Sequence, residues 1–152
     1  MQSKDLRSLL LKLNNYLVRN LETATGMCFS RGHYEVTFEH LLSALLEEGQ
    51  GDIPRIFRHF GIEAGRLQAK YNRTLEELRS GNTGKPRLSP LLTDLLEQAW
   101  IASSVHHKET AIRSGTLLEV FLASELAVST GLMDDLGIIN QEELRDKFYA
   151  IV

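Results

Sequence analysis

The chain has 152 residues, 43% of them hydrophobic and 24% charged, with a net charge of −3. That length supports one domain, or two small halves sharing one core. The slightly acidic balance, with aromatic residues scattered rather than interleaved with Lys and Arg, argues against a nucleic-acid or anionic-membrane partner.

Cys28 is the single cysteine, so an internal disulfide or a cysteine-based metal site is excluded. Met1 to Arg7 leads into no signal-type apolar run. Leu9-Leu10-Leu11 is cut by Lys12 and Asn14, far too short to span a bilayer. A cytoplasmic location is the expectation.

Leu6, Leu9, Leu10, Leu13, Leu17 and Leu21 recur at helical spacing and predict one long first helix, continuing through Ala24 and Cys28 towards Gly32. Phe38, Leu41, Leu42, Leu45 and Leu46 predict a second, capped by Thr37 and stopped by Gly49-Gln50-Gly51. Asp52 is expected to cap a third, with Ile53, Ile56, Phe57 and Phe60 buried and Gly61 at its end. Leu67, Tyr71, Leu75 and Leu78 predict a fourth helix over 64–79. A polar linker follows, and Ser89-Pro90 signals the start of a fifth helix reaching about His106. The sixth is expected over 114–123 and the seventh over 127–136. The eighth opens at Asn140, with Glu143 completing a capping box. No segment alternates with period two over more than a few residues, so the expected class is all-α.

Leu117 lies 76 positions after Leu41, Leu122 lies 76 after Leu46, and Gly137-Ile138 lies 76 after Gly61-Ile62. One ungapped offset spanning several helices indicates an internal duplication. The expected division of this single domain is repeat one over about 13–79, a linker over about 80–88 and repeat two over about 89–152. Together they form two four-helix repeats about a pseudo-twofold axis.

Catalytic chemistry is hard to assemble. His33, His40 and His59 fall on different elements, and adjacent His106 and His107 point about 100° apart in a helix. No metal and no other cofactor is expected. Gly81-Asn82-Thr83-Gly84-Lys85 faintly suggests a phosphate loop. Arg79 stands where a Walker A motif needs glycine, and Pro86 where it needs Ser or Thr. Nucleotide binding and ATP hydrolysis in this chain are therefore not expected. Cys28 reads as a small buried hydrophobe, Glu47-Glu48 and Asp134-Asp135 as solvated helix ends, and the sequon Asn72-Arg73-Thr74 as chance. A small hydrolase with a concealed Cys or Ser nucleophile is the rival from another class.

The repeated pattern is similar to the Clp N-terminal domain, the adaptor and substrate module of Hsp100 AAA+ unfoldases. The matching residues are Glu39 to Leu46, Gly61-Ile62, Leu117-Leu118 and Gly137-Ile138. Within that family the chain resembles most the ClpV type of type VI secretion ATPases. The likeness rests on the N-terminal stripe from Leu6 to Leu13, on Leu88-Ser89-Pro90-Leu91-Leu92, and on Gln98 to Ser104 around Trp100. The resemblance implies a non-catalytic recognition domain whose partner is an N-terminal helix of the small sheath subunit, VipB (TssC), recruiting contracted sheath for disassembly. It implies a hydrophobic groove with Leu6, Leu9, Leu10 and Leu13 on one wall and Leu88, Ser89 and Leu92 on the other. It also implies a monomeric isolated domain and a hexameric parent protein. A general Hsp100 N-domain binding adaptors or exposed hydrophobic segments is the alternative.

Overall fold

A computed structural model of the chain describes residues 3–124 and 133–152. The described residues are predominantly helical, as the apolar periodicity predicts. The leucine stripe at the N-terminus is not one helix. It divides into α1 (Ser3–Leu10) and α2 (Asn15–Ser30). The Asn14 side chain caps α2 by accepting from the Leu17 N–H at 2.8 Å. Between the helices, Leu13 forms a parallel bridge with Ile112. Asn14 N–H donates to Ile112 O at 2.8 Å, and Ile112 N–H donates to Lys12 O. A distant backbone segment thus overrides the local helical pattern.

β1 (Glu35–Val36) precedes α3 (Phe38–Glu48). Thr37 caps α3, and Gly49 ends it in the left-handed conformation at φ 72°. α4 (Asp52–Phe60) is capped by Gly51 without any side-chain bond, which corrects the expectation that Asp52 caps it. The Asp52 carboxylate turns inward instead. It accepts from Arg113 Nε and Nη2, both at 2.8 Å, and from the Gly115 N–H at 3.1 Å. α5 (Ala64–Glu76) ends three residues before the expected Arg79.

β2 (Arg87–Leu88) follows the linker and pairs in parallel with β1, Glu35 opposite Arg87 and Val36 opposite Leu88. Two-residue strands are too short for a period to announce them. α6 (Pro90–Ile101) begins at the expected Ser89 cap, with Ser89 Oγ accepting from Leu92 N–H at 3.0 Å. It continues as a π-helical turn over Ala102–His106. α7 (Ser114–Ala123) matches its predicted bounds. Most of the helix expected over 127–136 lies outside the described residues; its end, α8 (Met133–Leu136), is helical. The final segment is α9 (Gln141–Asp146) and α10 (Phe148–Ile151). Asn140 Oδ1 accepts from Glu143 N–H at 2.9 Å, while the Glu143 carboxylate meets His59 at 3.0 Å.

One core runs through both halves. α2 packs on α3, α3 on α5, α4 on α7, and α6 on α7. Phe38 and Phe121 stack at 4.2 Å between ring centroids where the halves meet. Asp52 and Arg113 join the start of α4 to the start of α7 within this core. Replacing Asp52 with Ala leaves a half-buried guanidinium with Glu109 as its remaining ion-pair partner among the described residues. We expect a loss of about 2–3 kcal/mol, below the roughly 3–5 typical of fully buried pairs, read as a lower urea midpoint with an unchanged slope.

Candidate functional site

A groove of about 430 Å³ opens where α1, α2 and the β1–β2 ladder meet. Leu10 and Leu13 come from the end of α1 and the turn after it. Val18, Leu21, Glu22 and Thr25 come from one face of α2, and Val36, Leu88 and Pro86 from the ladder and its approach. The spacing of the α2 residues at i, i+3, i+4 and i+7 is that of a single helix face. Val36 and Leu88 share one face of the ladder because residues paired across a sheet point the same way. The surface is apolar except for Glu22 and Thr25.

Of the residues expected to form this groove, the structure brings Leu10, Leu13 and Leu88 together. Leu9, Ser89 and Leu92 are buried at 6%, 5% and 0% exposure and do not line it. Leu9 faces the core, Ser89 is occupied in capping α6, and Leu92 packs among the core leucines. Leu6 is half-buried away from the lining. Leu11, on the outer side of the turn, is 80% exposed. Sequence reasoning missed Val18, Leu21, Glu22, Thr25, Val36 and Pro86 as groove residues. Val18 and Thr25 flank the leucine stripe of α2 at helical spacing, and that was the legible signal. Nothing local marks Val36 and Pro86 as neighbours of α2.

On the other face of the ladder, Glu35 borders a second cleft of about 320 Å³. Its floor includes Phe38 and Phe121, and Glu39 stands beside it. Burial pushes the Glu39 carboxyl above the usual carboxylate range.

Cys28, His33 and His40 converge in the interior, their ligand-type atoms all within 4.8 Å of one another. The hydrogen bonds decide what this cluster is. Thr37 N–H donates to His40 Nδ1 at 3.0 Å, while Thr37 Oγ1 accepts from His40 N–H, a reciprocal capping box. His40 Nδ1 therefore keeps its lone pair and the ring proton sits on Nε2. From there it is donated to His33 Nδ1 at 3.0 Å. A metal on His40 Nε2 would require the proton on Nδ1, pointing at the Thr37 N–H. The Cys28 thiol donates to Glu35 O at 3.2 Å, and burial raises its pKa. A buried thiol held protonated is neither ligand nor nucleophile. The cluster caps α3 and fastens it to the segment after α2.

His107 is buried against Glu119 at 2.8 Å, and His59 meets Glu143 across the surface. The linker loop is organised by Asn82, whose Oδ1 accepts from Gly84 N–H and whose Nδ2 donates to His33 O. The Asn82 amide thus faces the protein. Among the described residues no nucleophile, base and orienting group come together. No helix of the described residues is long and apolar enough to cross a membrane.

With this geometry in view, the comparisons with known proteins are decisive for the family. The family model described as the Clp repeat (R) N-terminal domain matches residues 12–134. The chain belongs to the Clp repeat N-terminal domain family. It is 28% identical over 139 residues to the AAA+ ATPase ClpV1 of Pseudomonas aeruginosa, covering 90% of this chain and 15% of that protein. It is similar to the N-domain of ClpV from Vibrio cholerae, at 31% identity and TM-score 0.83, over 96% of this chain and 88% of that one. A structure described as a complex of a ClpV N-domain with a VipB peptide superposes with TM-score 0.87 at 31% identity, over 96% and 90% of the two chains.

The capping histidine gives this Clp N-domain a definite acid response. Burial first, then His33 and Arg31, push His40 from 6.5 down to about 4. The unfolded chain takes up that proton near 6.5 and the folded chain only near 4, so stability is full above about 6.5 and falls as pH drops towards 4. Urea midpoints measured across this window should decline for the parent and decline less for His40→Asn, which starts lower.

Proposed function

We propose that this Clp N-domain is the recognition domain of a type VI secretion AAA+ ATPase. In this reading it holds an N-terminal amphipathic helix of the small sheath subunit, VipB (TssC), in the groove between α1, α2 and the ladder. The observation that carries it is the groove itself: half-buried Leu10, Val18 and Leu88 expose a continuous apolar floor. Such a surface is the feature that marks a binding site. An amphipathic helix fits it, with apolar anchors at i, i+3, i+4 and i+7. The likeness to a ClpV N-domain complexed with a VipB peptide supports the choice of partner.

The two halves, 13–79 and 89–152 joined by 80–88, are in this reading copies of one unit. The shared offset and the matching positions of α3 and α7 support that division. ATP hydrolysis and hexamer formation belong to AAA+ modules of the parent protein. Copies of the domain linked on that hexamer raise avidity for a sheath that presents many identical helices. Recruitment of contracted sheath for disassembly follows from that arrangement. The cleft over Phe38 and Phe121 favours a second reading, general binding of exposed hydrophobic segments.

The test is a fluorescence-anisotropy titration with a labelled N-terminal helix of a cognate small sheath subunit, against a scrambled control. A short helix buries roughly 1,200 Å² or less, so binding should saturate at micromolar concentration. Leu88→Arg should weaken it by about tenfold or more, because it fills the apolar groove floor with a long charged side chain that the peptide's apolar face would have to desolvate. Its melting temperature should stay close to the parent's. Equal binding of native and scrambled peptide would favour general hydrophobic capture.

A further inference from the structure

Among the described residues, Glu22 is the only charged side chain that lines the groove. It is exposed, and among the described residues no ion pair reaches it. The cation nearest along its helix, Arg19, is engaged by Glu48 at 2.6 Å and lies over the Tyr16 ring. One turn ahead stands Gly26, which has no side chain to offer. Glu22 therefore presents a free carboxylate on the wall of an apolar groove. An occupant that covers it must strip water from that charge, which is unfavourable unless the occupant supplies a cation.

Gly26 is the second observation. Glycine weakens a helix interior, and nothing among the described residues calls for it here. An added Cβ would meet no atom within 4 Å, and its backbone has no positive φ. Val18, Glu22 and Gly26 form one row at i, i+4 and i+8 along α2. The row runs from an apolar wall through a carboxylate to bare backbone. Bare backbone on an exposed row lets a second helix approach closely.

We infer that the groove is built for a helix carrying a Lys or Arg beside its apolar anchors, seated over Glu22, with its backbone closest to α2 at Gly26. This deepens the helix-in-groove reading above and rests on it. The cation selects which amphipathic helices enter, since an acidic residue in that place meets Glu22 with like charge in a drying site. Apolar anchors supply the affinity, and the carboxylate supplies the choice and the register.

The probes are two fluorescein-labelled amphipathic peptides, identical except for Lys or Glu at the position flanking the apolar anchors. They are titrated into the whole chain and into its Glu22→Lys, Gly26→Leu and Leu88→Arg variants. The parent should bind the lysine peptide about fivefold more tightly, the scale of a partly exposed ion pair. Glu22→Lys should reverse that order. Salt at about 1 M, where the screening length falls to roughly 3 Å, should compress the difference. Gly26→Leu should weaken both peptides without lowering the melting temperature. An unchanged peptide ratio in Glu22→Lys, with both peptides lost in Leu88→Arg, overturns the cation inference and leaves the groove reading standing. Equal binding of both peptides by Leu88→Arg and the parent, or binding of neither by the parent, overturns the groove reading and this inference with it.

Discussion

The pairing of Asp52 with Arg113 is the constraint on which the rest of the structure depends. It lies between the start of α4 and the residue before α7, and its side chains are 7% and 25% exposed. A charge pair removed this far from water holds only with good geometry and with its remaining lone pairs satisfied. Asp52 meets both conditions through two Arg113 contacts and the Gly115 N–H. A side chain at residue 115 would crowd this pair. A Cβ on Gly115 would come within 3.0 Å of Asp52 and 3.1 Å of Phe148. Arg113 also lies over the rings of Phe148 and Tyr149, so the same guanidinium seats the C-terminal helix. Its neighbour Ile112 holds the backbone on either side of Leu13. Four consecutive residues, 112–115, thus fasten the N-terminal segment, α4 and α10 to one point. The groove's α1 wall inherits its position from that point.

How much of this was legible in the sequence follows from how local each determinant is. Thr37, Ser89 and Pro90 act on the next three residues of the chain, and α3 and α6 begin where those residues place them. The division of α1 from α2 is non-local. The leucine spacing runs across it unbroken, and only the bridge to Ile112, 99 positions away from Leu13, splits it. Asn14, a good N-cap residue, was the local sign. Asp52 misled for a related reason. An acid after Gly51 is a sound capping candidate on its own, and its actual partner lies in the other half of the chain. Groove residues divide along the same line. Leu10, Leu13 and Leu88 stand out as apolar residues near an element's end. Leu9 and Leu92 share that description, and Ser89 sits directly after Leu88, yet none of the three lines the groove, since hydrophobic spacing reports which face is apolar and not which neighbour covers it.

The buried histidines show how polar groups serve the fold itself. His40 closes a capping box, receives the Thr37 N–H and passes its proton towards His33, whose carbonyl accepts from Asn82. The chain of bonds runs from the start of α3 into the linker. A buried polar group is stabilising only when it is fully partnered, and here the partners lie on both sides of the ladder. The same bonds that withdraw His40 from metal or acid–base work position the linker that delivers Pro86 and Leu88 to the groove.

The two-residue ladder does more than its length suggests. Side chains alternate along a strand, so pairing Val36 with Leu88 sends both into the groove, while Glu35 faces the cleft on the other side. A slip of one residue would exchange these faces and set Glu35 or Arg87 in the apolar floor. Such a slip is resisted at each end. Asn82 N–H is held by Gly32 O at 2.9 Å before the ladder, and Ser89 N–H by Val36 O at 2.9 Å after it. Ser89 then caps α6 and so ties the ladder's register to a helix that cannot shift without moving the core. The apolar character of the groove is therefore set by backbone bonds that leave its side chains free. A floor held rigidly from behind and unpartnered in front suits the recognition role proposed for it.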